Sequence, residues 1–429
     1  MQDNNTTINH FEQIKRYVTY PGRKNLFIYL CDESIIPVII LEKPYVSEFL
    51  QQTVVRMQVP VLATDFSKSL SLAGGMNLVE PDAFFTALRS CQNPLLYSNS
   101  ENSAELLNRY CPELTVTENV NYFKNKPALR QIFSALSPDV WHQTYKLNEL
   151  DQIDISALQK PFVIKPVRGF ASIGIHSVHD QKEWDTALEG IKKEVKLMQN
   201  VFPDTVVSLN EFMIEKYIDG PEIAIEAYFD GSGNPVILNI LQHLFRSKSD
   251  MSDRLYLTSG EIVRKYHDPV ESFLKELSKR RDLRNFPFHL EMRQEPNGSF
   301  VLIEINPLRF MGFCVADVGH YFYGINPYEF YFQQMKPDWE KILGSRSGKV
   351  YGMFGIDIPK HLDKNRIRFN YEKFIGYFSH PLHYLKMDYK KFPMAIYLFA
   401  ETTEDRFNEF EEILYSDLME FIECDVSFH

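Results

Sequence analysis

Residues 286–307, FPFHLEMRQEPNGSFVLIEINP, contain two carboxylates whose spacing can do chemistry. Two alternating runs flank Asn297-Gly298, the dipeptide favoured in a two-residue type I′ hairpin turn. With that turn, Glu291 faces Glu304 directly across the strands and His289 faces Asn306. Alternation puts these four on one face and leaves Leu290, Met292, Ile303 and Ile305 on the other to seal a core. Directly opposed like charges destabilise a sheet unless something neutralises them. A hard divalent cation is the simplest neutraliser, and two carboxylates with an amide carbonyl suit Mg²⁺. The competing reading is the solvated face of an ordinary amphipathic hairpin, and these residues alone weigh the two evenly.

Two further stretches have the residue types for anion and base recognition. In residues 161–178, PFVIKPVRGFASIGIHSV, Lys165 ends a strand pattern and precedes a loop with Gly169, Ser172 and Gly174. Glycines let backbone amides approach an anion, and the lysine adds a point charge. The loop matches neither a Walker A nor a GxGxxG pattern, and a lysine beside a surface turn is its ordinary alternative. In residues 215–222, EKYIDGPE, a strand through Lys216, Tyr217 and Ile218 breaks at Gly220-Pro221. Such a bend can present backbone groups to a planar base, with Glu222 placed to accept from a ribose hydroxyl; a plain strand–turn–strand corner is the alternative.

The elements that must position these residues follow from periodicity and breakers. The first third alternates strands (Asn25–Cys31, Val38–Ile40, Pro60–Thr64, Pro94–Ser98) with helices, including Ala104–Tyr110 capped from residues 100–103, as in an open α/β layer. A helix with Pro127 in its first turn is expected over Lys126–Leu136, then a strand over Phe162–Lys165 and a helix over Trp184–Gln199. Phe212–Tyr217 reads as a strand, and Glu222–Phe229 and Pro235–Phe245 flank a turn at residues 230–234. Beyond the opening hairpin come a helix over Ile325–Gln333, apolar runs at Tyr351–Ile358 and Ala395–Ala400, and an acidic helix over Phe407–Ile422.

At 429 residues, 44% of them apolar, the chain is long enough for two or three domains with sizeable cores. A net charge of −11 argues against a general nucleic-acid binder. Five scattered cysteines without a CxxC pair fit reduced thiols, and Cys314 reads as a packed thiol. The N-terminus lacks signal-peptide character and no apolar run reaches a membrane span, so the expectation is a cytoplasmic protein with no membrane or nucleic-acid partner. Nothing supports a Ser-His-Asp or zinc site.

Taken in order, Lys126 opening a helix, Lys165-Pro166…Gly169…Ser172…Gly174, Glu215…Glu222, Glu291, and Glu304-Ile305-Asn306 form one series. That series, over about residues 110–335, resembles the ATP-grasp superfamily, particularly carboxylate–amine ligases such as D-alanine–D-alanine ligase and the L-amino-acid ligases. The resemblance implies an α/β and α+β chain: an N-terminal open α/β domain over 1–118, an ATP-grasp domain over 119–335, and a C-terminal α+β extension over 336–429 making substrate or dimer contacts. It implies that Lys126 and Lys165 contact nucleotide phosphates and that Gly169, Ser172 and Gly174 form the phosphate loop. Glu215, Lys216 and Ile218 would surround adenine, chiefly through backbone groups, and Glu222 would hold the ribose. Glu291, Glu304 and Asn306 would coordinate Mg²⁺, or Mn²⁺ in its place, bridging the β- and γ-phosphates of ATP.

The activity implied is ATP-dependent joining of a carboxylate to an amine through an acyl phosphate, on amino acids or a small peptide. Alternatives are modification of a peptide or protein, or a nucleotide-binding regulator without turnover. Positive charge must stand near the acyl phosphate and the tetrahedral oxyanion. Arg309 is the first candidate and Arg293 the second, with Arg246, Lys248 and Arg254 expected near substrate or γ-phosphate. Many family members place the arginine two residues after the asparagine; here Leu308 intervenes, which leaves the direction of Arg309 open. His289 reads as a hydrogen-bonded structural neighbour of the acids.

Overall fold

The computed structural model describes residues 37–134, 137–169, 174–198, 208–247, 250 and 252–424. The expected strand at Asn25–Cys31, the loop residue Ser172, and Lys248 lie outside them.

Short β-branched and leucine-rich runs pair in parallel, in the order Asn77–Val79, Pro60–Leu62, Pro37–Ile40, Leu95–Ser98. Parallel neighbours need crossovers, here the helices Glu48–Met57 and Pro81–Arg89. This is the open α/β layer that the alternating pattern predicts. The helix after it runs Ser103–Tyr110, but Asn102 gives it no side-chain cap. Serines tie the turn before it together instead, with Ser98 Oγ and Oγ of Ser103, the helix's first residue, both donating to Ser100 O at 2.9 Å.

Eight antiparallel strands form the largest sheet, in the order Phe300–Pro307, Phe286–Gln294, Glu222–Phe229, Pro235–Leu244, Leu255–Ser259, Lys349–Asp357, Met394–Thr403, Pro381–Lys386. Glu222–Phe229 is buried on both faces, which is why its run EIAIEAYF is almost wholly apolar. Ile223, Ile225, Ala227 and Phe229 pack in one core with the helix Gly260–Ser278, while Ala224 and Tyr228 face the opposite core. Glu222 and Glu226 share the stripe of Ala224 and Tyr228 and are the two charged residues in the strand. The strands at 349–403 continue this sheet without a break from those before residue 335.

A smaller antiparallel sheet, ordered His142–Lys146, Ser208–Lys216, Phe162–Arg168, His176–Val178, packs through Phe162, Ile164, Phe212 and Ile214 onto Trp184, Ala187 and Ile191 of the helix Gln181–Met198. The acidic helix expected to reach Ile422 spans Asn408–Tyr415 only. Leu418 is left-handed at φ 65°, and Ile422–Cys424 pairs with Ile367–Phe369 instead. A strand partner overrides local helical charge patterning there. None of the helices among the described residues is long and apolar enough to cross a membrane.

Candidate active site

The hairpin is closed by a longer turn than its sequence suggests. Gln294 pairs with Phe300, Glu295 N donates to Ser299 O (2.9 Å), and Gly298 N donates to Glu295 O (2.8 Å). Gly298 takes φ 87°, the left-handed position that closes a three-residue hairpin loop. That shifts the register by one residue, and a bulge between Glu291 and Met292 shifts it back, so Glu291 still lies opposite Glu304 and His289 opposite Asn306. The bulge changes the sealing face. Leu302 joins Leu290, Met292 and Ile305 in the core, whereas Ile303 turns towards Val140, Ile218 and Val301.

The acid pair sits among fixed charges. His289 lies between Glu226 Oε1 (2.9 Å from Nδ1) and Glu291 Oε1 (3.2 Å from Nε2). Burial disfavours its charge, but the two carboxylates outweigh burial and lift the imidazole to about 9. His289 is thus hydrogen-bonded through both ring nitrogens to carboxylates, beside the acids of the hairpin. Burial, with Glu222 and Glu304 nearby, raises the Glu291 carboxyl despite His289. Burial opposes ionisation of Glu304 too, yet Lys126, Lys124, Lys165 and Arg309 together hold it below the usual range. Ala224, small and opposite Glu291 in register, separates the stripe into Glu222 and Glu226.

Asn125 caps the helix Lys126–Phe133 and so fixes Lys126 at its start. Lys126 Nζ is 3.6 Å from Glu304 Oε1 and donates to Gly169 O at 3.3 Å. Lys165 is buried and paired to Glu215 Oε1 at 2.6 Å. Arg130, one turn beyond Lys126, grips the same carboxylate at 2.5 and 3.0 Å and also donates to Leu302 O. Burial alone would raise Glu215; Arg130 and Lys165 hold it down to about 2. The Glu215 side chain therefore clamps two cations.

At the bend, Lys216 N donates to Trp141 O (3.1 Å) and Tyr217 N to Pro161 O (3.2 Å), while Lys216 Nζ pairs with Glu295 at 2.7 Å. Glu222, expected at a ribose, accepts from Arg293 Nε on one oxygen and meets His243 Nδ1 on the other, both at 2.9 Å. Arg293 also donates to Ile218 O (2.9 Å) and lies over the Tyr217 and Phe245 rings. The strand does carry Arg293 on the stripe of Glu291, but its guanidinium is committed to the bend.

Arg309 follows a different path. Leu308 takes φ 61°, with its N–H on Pro287 O and its carbonyl on Ser98 N, both 2.8 Å. The intervening residue is thus absorbed in a left-handed turn that aims Arg309 at Glu101 (3.2 and 2.5 Å). Lys124 pairs with the other oxygen of Glu101. Burial and Arg309 draw the Lys124 ammonium down to about 7.

The remaining candidates are engaged elsewhere. Arg246 pairs with Asp250 at 3.1 Å. Arg254 donates to Ser416 O at 2.6 Å and faces Asp357 at 3.6 Å, tying its strand to the C-terminal segment. Cys314 is buried and accepts from Ser47 N at 3.4 Å, and burial pushes its thiol up to about 12, which suits a packed side chain. A cavity of about 630 Å³ lined by Phe49, Arg56, His320, Asn326 and Glu329, among others, shares no residue with this cluster.

Sequence reading missed Arg130, Glu101, Lys124 and Glu226. Two signals were present: Arg130 lies four residues after Lys126 on one helix face, and Glu226 is a charge in the middle of a strand that is apolar apart from Glu222 at its start. Among the described residues, no three His, Cys, Asp or Glu side chains are grouped to hold a metal ion. Glu291 and Glu304, paired in register, and Asn306 two residues beyond Glu304 nevertheless offer oxygen ligands, and that donor set fits a hard divalent cation.

Residues 158–317 match the ATP-grasp domain family. Over 101 residues the chain is 32% identical to D-alanine–D-alanine ligase of Bacillus anthracis, covering 24% of this chain and 28% of that enzyme. The match therefore spans under a third of its curated relatives' length. The L-amino acid ligase from Bacillus licheniformis superposes with a TM-score of 0.60 at 17% identity, covering 92% of this chain and 99% of that one. Biotin carboxylase from Campylobacter jejuni gives 0.55 at 12% identity, covering 86% and 88%. The fold is ATP-grasp, and residues 158–317 match its domain family.

Proposed function

We propose, from a chain that carries an ATP-grasp domain over residues 158–317, that it is an ATP-dependent ligase joining a carboxylate to an amine and releasing ADP and phosphate. One observation carries the reading: Lys126 lies 3.6 Å from Glu304, which stands directly opposite Glu291, and Lys124, Lys165 and Arg309 join Lys126 in holding that carboxyl down. A metal-binding carboxylate pair needs no such gathering of cations, whereas a triphosphate placed against it does.

Lys126 and Lys165 would hold the phosphates, with Gly169 and Gly174 at the loop above them. The bend at Lys216–Ile218 would take the base, and the Arg293–Glu222–His243 chain would hold that bend rigid. Glu291, Glu304 and Asn306 would hold Mg²⁺, which when bound neutralises charge on the β- and γ-phosphates. In the first step a substrate carboxylate oxygen bonds to the γ-phosphorus as its bond to the β–γ bridging oxygen breaks, and ADP leaves. An amine then attacks the acyl carbon, loses a proton, and phosphate departs. Arg309 and Lys124 would face the acyl phosphate and the oxyanion. An amino acid or small peptide is the donor favoured by the likeness to D-alanine–D-alanine ligase and an L-amino acid ligase.

Hydroxylamine trapping across a panel of amino acids and dipeptides, with ADP release followed in parallel, tests this. Hydroxamate and ADP in equal amounts are expected. AMP and pyrophosphate as products would exclude the acyl-phosphate route, and bicarbonate as the only accepted carboxylate would replace it with carboxylation.

A further inference from the structure

Glu101, Lys124 and Arg309 reach one point from three places in the fold. Glu101 comes from the turn after the parallel strand Leu95–Ser98, Lys124 from the junction before the helix Lys126–Phe133, and Arg309 from the segment after Phe300–Pro307. Arg309 Nε and Nη2 both donate to Glu101 Oε1, and Lys124 meets Oε2. The three side chains are 9%, 7% and 12% exposed for Glu101, Lys124 and Arg309. Water therefore does little to screen the two cations from each other, and Glu101 is the group between them.

The carboxylate is delivered on a braced turn. Asn99 Nδ2 donates to Glu42 O (2.7 Å) and Tyr45 O (2.9 Å), Ser98 N donates to Leu308 O (2.8 Å), and Ser98 Oγ closes on Ser100 O (2.9 Å). Behind Arg309, Met311 N donates to Glu226 Oε2 at 3.0 Å. Arg309 is thus fixed at its backbone by the large sheet and at its guanidinium by the parallel one. Both cations also act on Glu304, so whatever sets their positions sets the field at the acid pair.

We propose that Glu101 is a positioning residue: it holds Arg309 and Lys124 in the arrangement that receives the terminal phosphate of a nucleoside triphosphate. The inference deepens the ligase reading and rests on it for the identity of that phosphate. A carboxylate that merely staples two layers together would affect every ligand of the cleft alike. A positioning carboxylate affects the phosphate that its cations face.

The full chain and its Glu101→Gln and Glu101→Asp variants are titrated calorimetrically with ADP and with a non-hydrolysable ATP analogue, each with Mg²⁺. Glu101→Gln is expected to weaken the analogue about tenfold while leaving ADP within about twofold, and Glu101→Asp to recover part of the loss. In turnover with any substrate pair found by trapping, KM for ATP should rise with the weaker triphosphate binding and kcat should fall as well. If Glu101→Gln fails to fold, the same comparison is read on Glu101→Asp, with about a threefold loss expected for the analogue alone. Equal weakening of both ligands, no change in either, or a wild-type chain that does not distinguish them overturns the proposal. Failure of the ligase reading looks different: no hydroxamate forms from any carboxylate, while the triphosphate preference still responds to Glu101.

Discussion

Among individual residues, the acids and cations of the cleft divide into those that meet a ligand and those that hold its partners. Glu304 belongs to the first group in our reading, and Glu304→Gln keeps its size while removing its charge. That variant is expected to lose turnover by at least about a hundredfold with its melting temperature little changed, since removing charge stabilisation at a phosphoryl-transfer site commonly costs that much. Wild-type turnover in Glu304→Gln would rule out a metal role for it. Arg130 belongs to the second group. Glu215 is buried and gripped by Arg130 from one side and Lys165 from the other. Arg130→Met leaves a buried carboxylate with one partner instead of two and strands the Leu302 carbonyl. Breaking such a pair costs about 3 kcal/mol, and urea unfolding of the two proteins would measure it. A cost near zero would mean that Lys165 alone satisfies Glu215. Neither Arg130 nor Glu101 could be assigned from sequence, because their partners lie 85 and 208 residues away along the chain. A charged side chain announces that it needs a partner, but not which one.

For the elements, the hairpin separates what local pattern determines from what it does not. The pairing of Glu291 with Glu304 was readable because alternation ties one face of each strand to the core, and slipping by one residue would invert every side chain. The turn was misread because Asn297-Gly298 is compatible with both a two-residue and a three-residue loop, and the bulge at Ile303 hides the difference at the acids. Two glycines of this region test the account. Gly298 (φ 87°) has open space where a Cβ would go, so Gly298→Ala meets only the backbone penalty, about 1 kcal/mol. Gly220 (φ 125°) lies in the bend, and an added Cβ would fall 2.0 Å from the carbonyl oxygen of Gln294. Gly220→Ala must push the bend off the hairpin, along with the Lys216–Glu295 pair and the Pro221 carbonyl that accepts from Gln294 N at 3.0 Å. We expect a stability loss of about 3 kcal/mol or more and a nucleotide affinity reduced with it, against near-normal binding in Gly298→Ala. Thermal melts and ADP titrations of the two variants side by side would decide, and equal effects would mean that the bend does not bear on the cleft.

The whole molecule joins its parallel layer to the large sheet through two cores: in one, Ile40, Leu62 and Leu96 pack with Ile223 and Ile225, and in the other, Leu50 and Val54 of the first helix share a cluster with Val318, Phe322 and Tyr328. Asp317 is buried inside that second core. Tyr328 donates to its Oδ1 at 2.7 Å, while Oδ2 has no hydrogen-bond partner. Burial, only partly offset by Ser47 and Tyr328, lifts this carboxyl to about 7 from its ordinary 3.8. The sign of the consequence follows from linkage. Below pH 3.8 both folded and unfolded chains hold the proton, and Asp317 carries no pH-dependent penalty. Between the two values the folded chain holds a proton that the unfolded chain has released, so raising the pH destabilises the fold. Above pH 7 both are ionised and the penalty levels off, at about 4 kcal/mol by the spacing of the two values. Asp317→Asn keeps the shape and the acceptor for Tyr328 but cannot ionise. Its stability relative to the wild type should therefore grow steadily from pH 5 to pH 7 and then stay constant. Other titrating groups cancel in that difference, so melts of both proteins at pH 5, 6, 7 and 8 isolate the one carboxyl. Parallel curves across that range would mean that Asp317 is ionised in the fold already, with a partner for its second oxygen that joins the two layers more tightly than apolar packing alone.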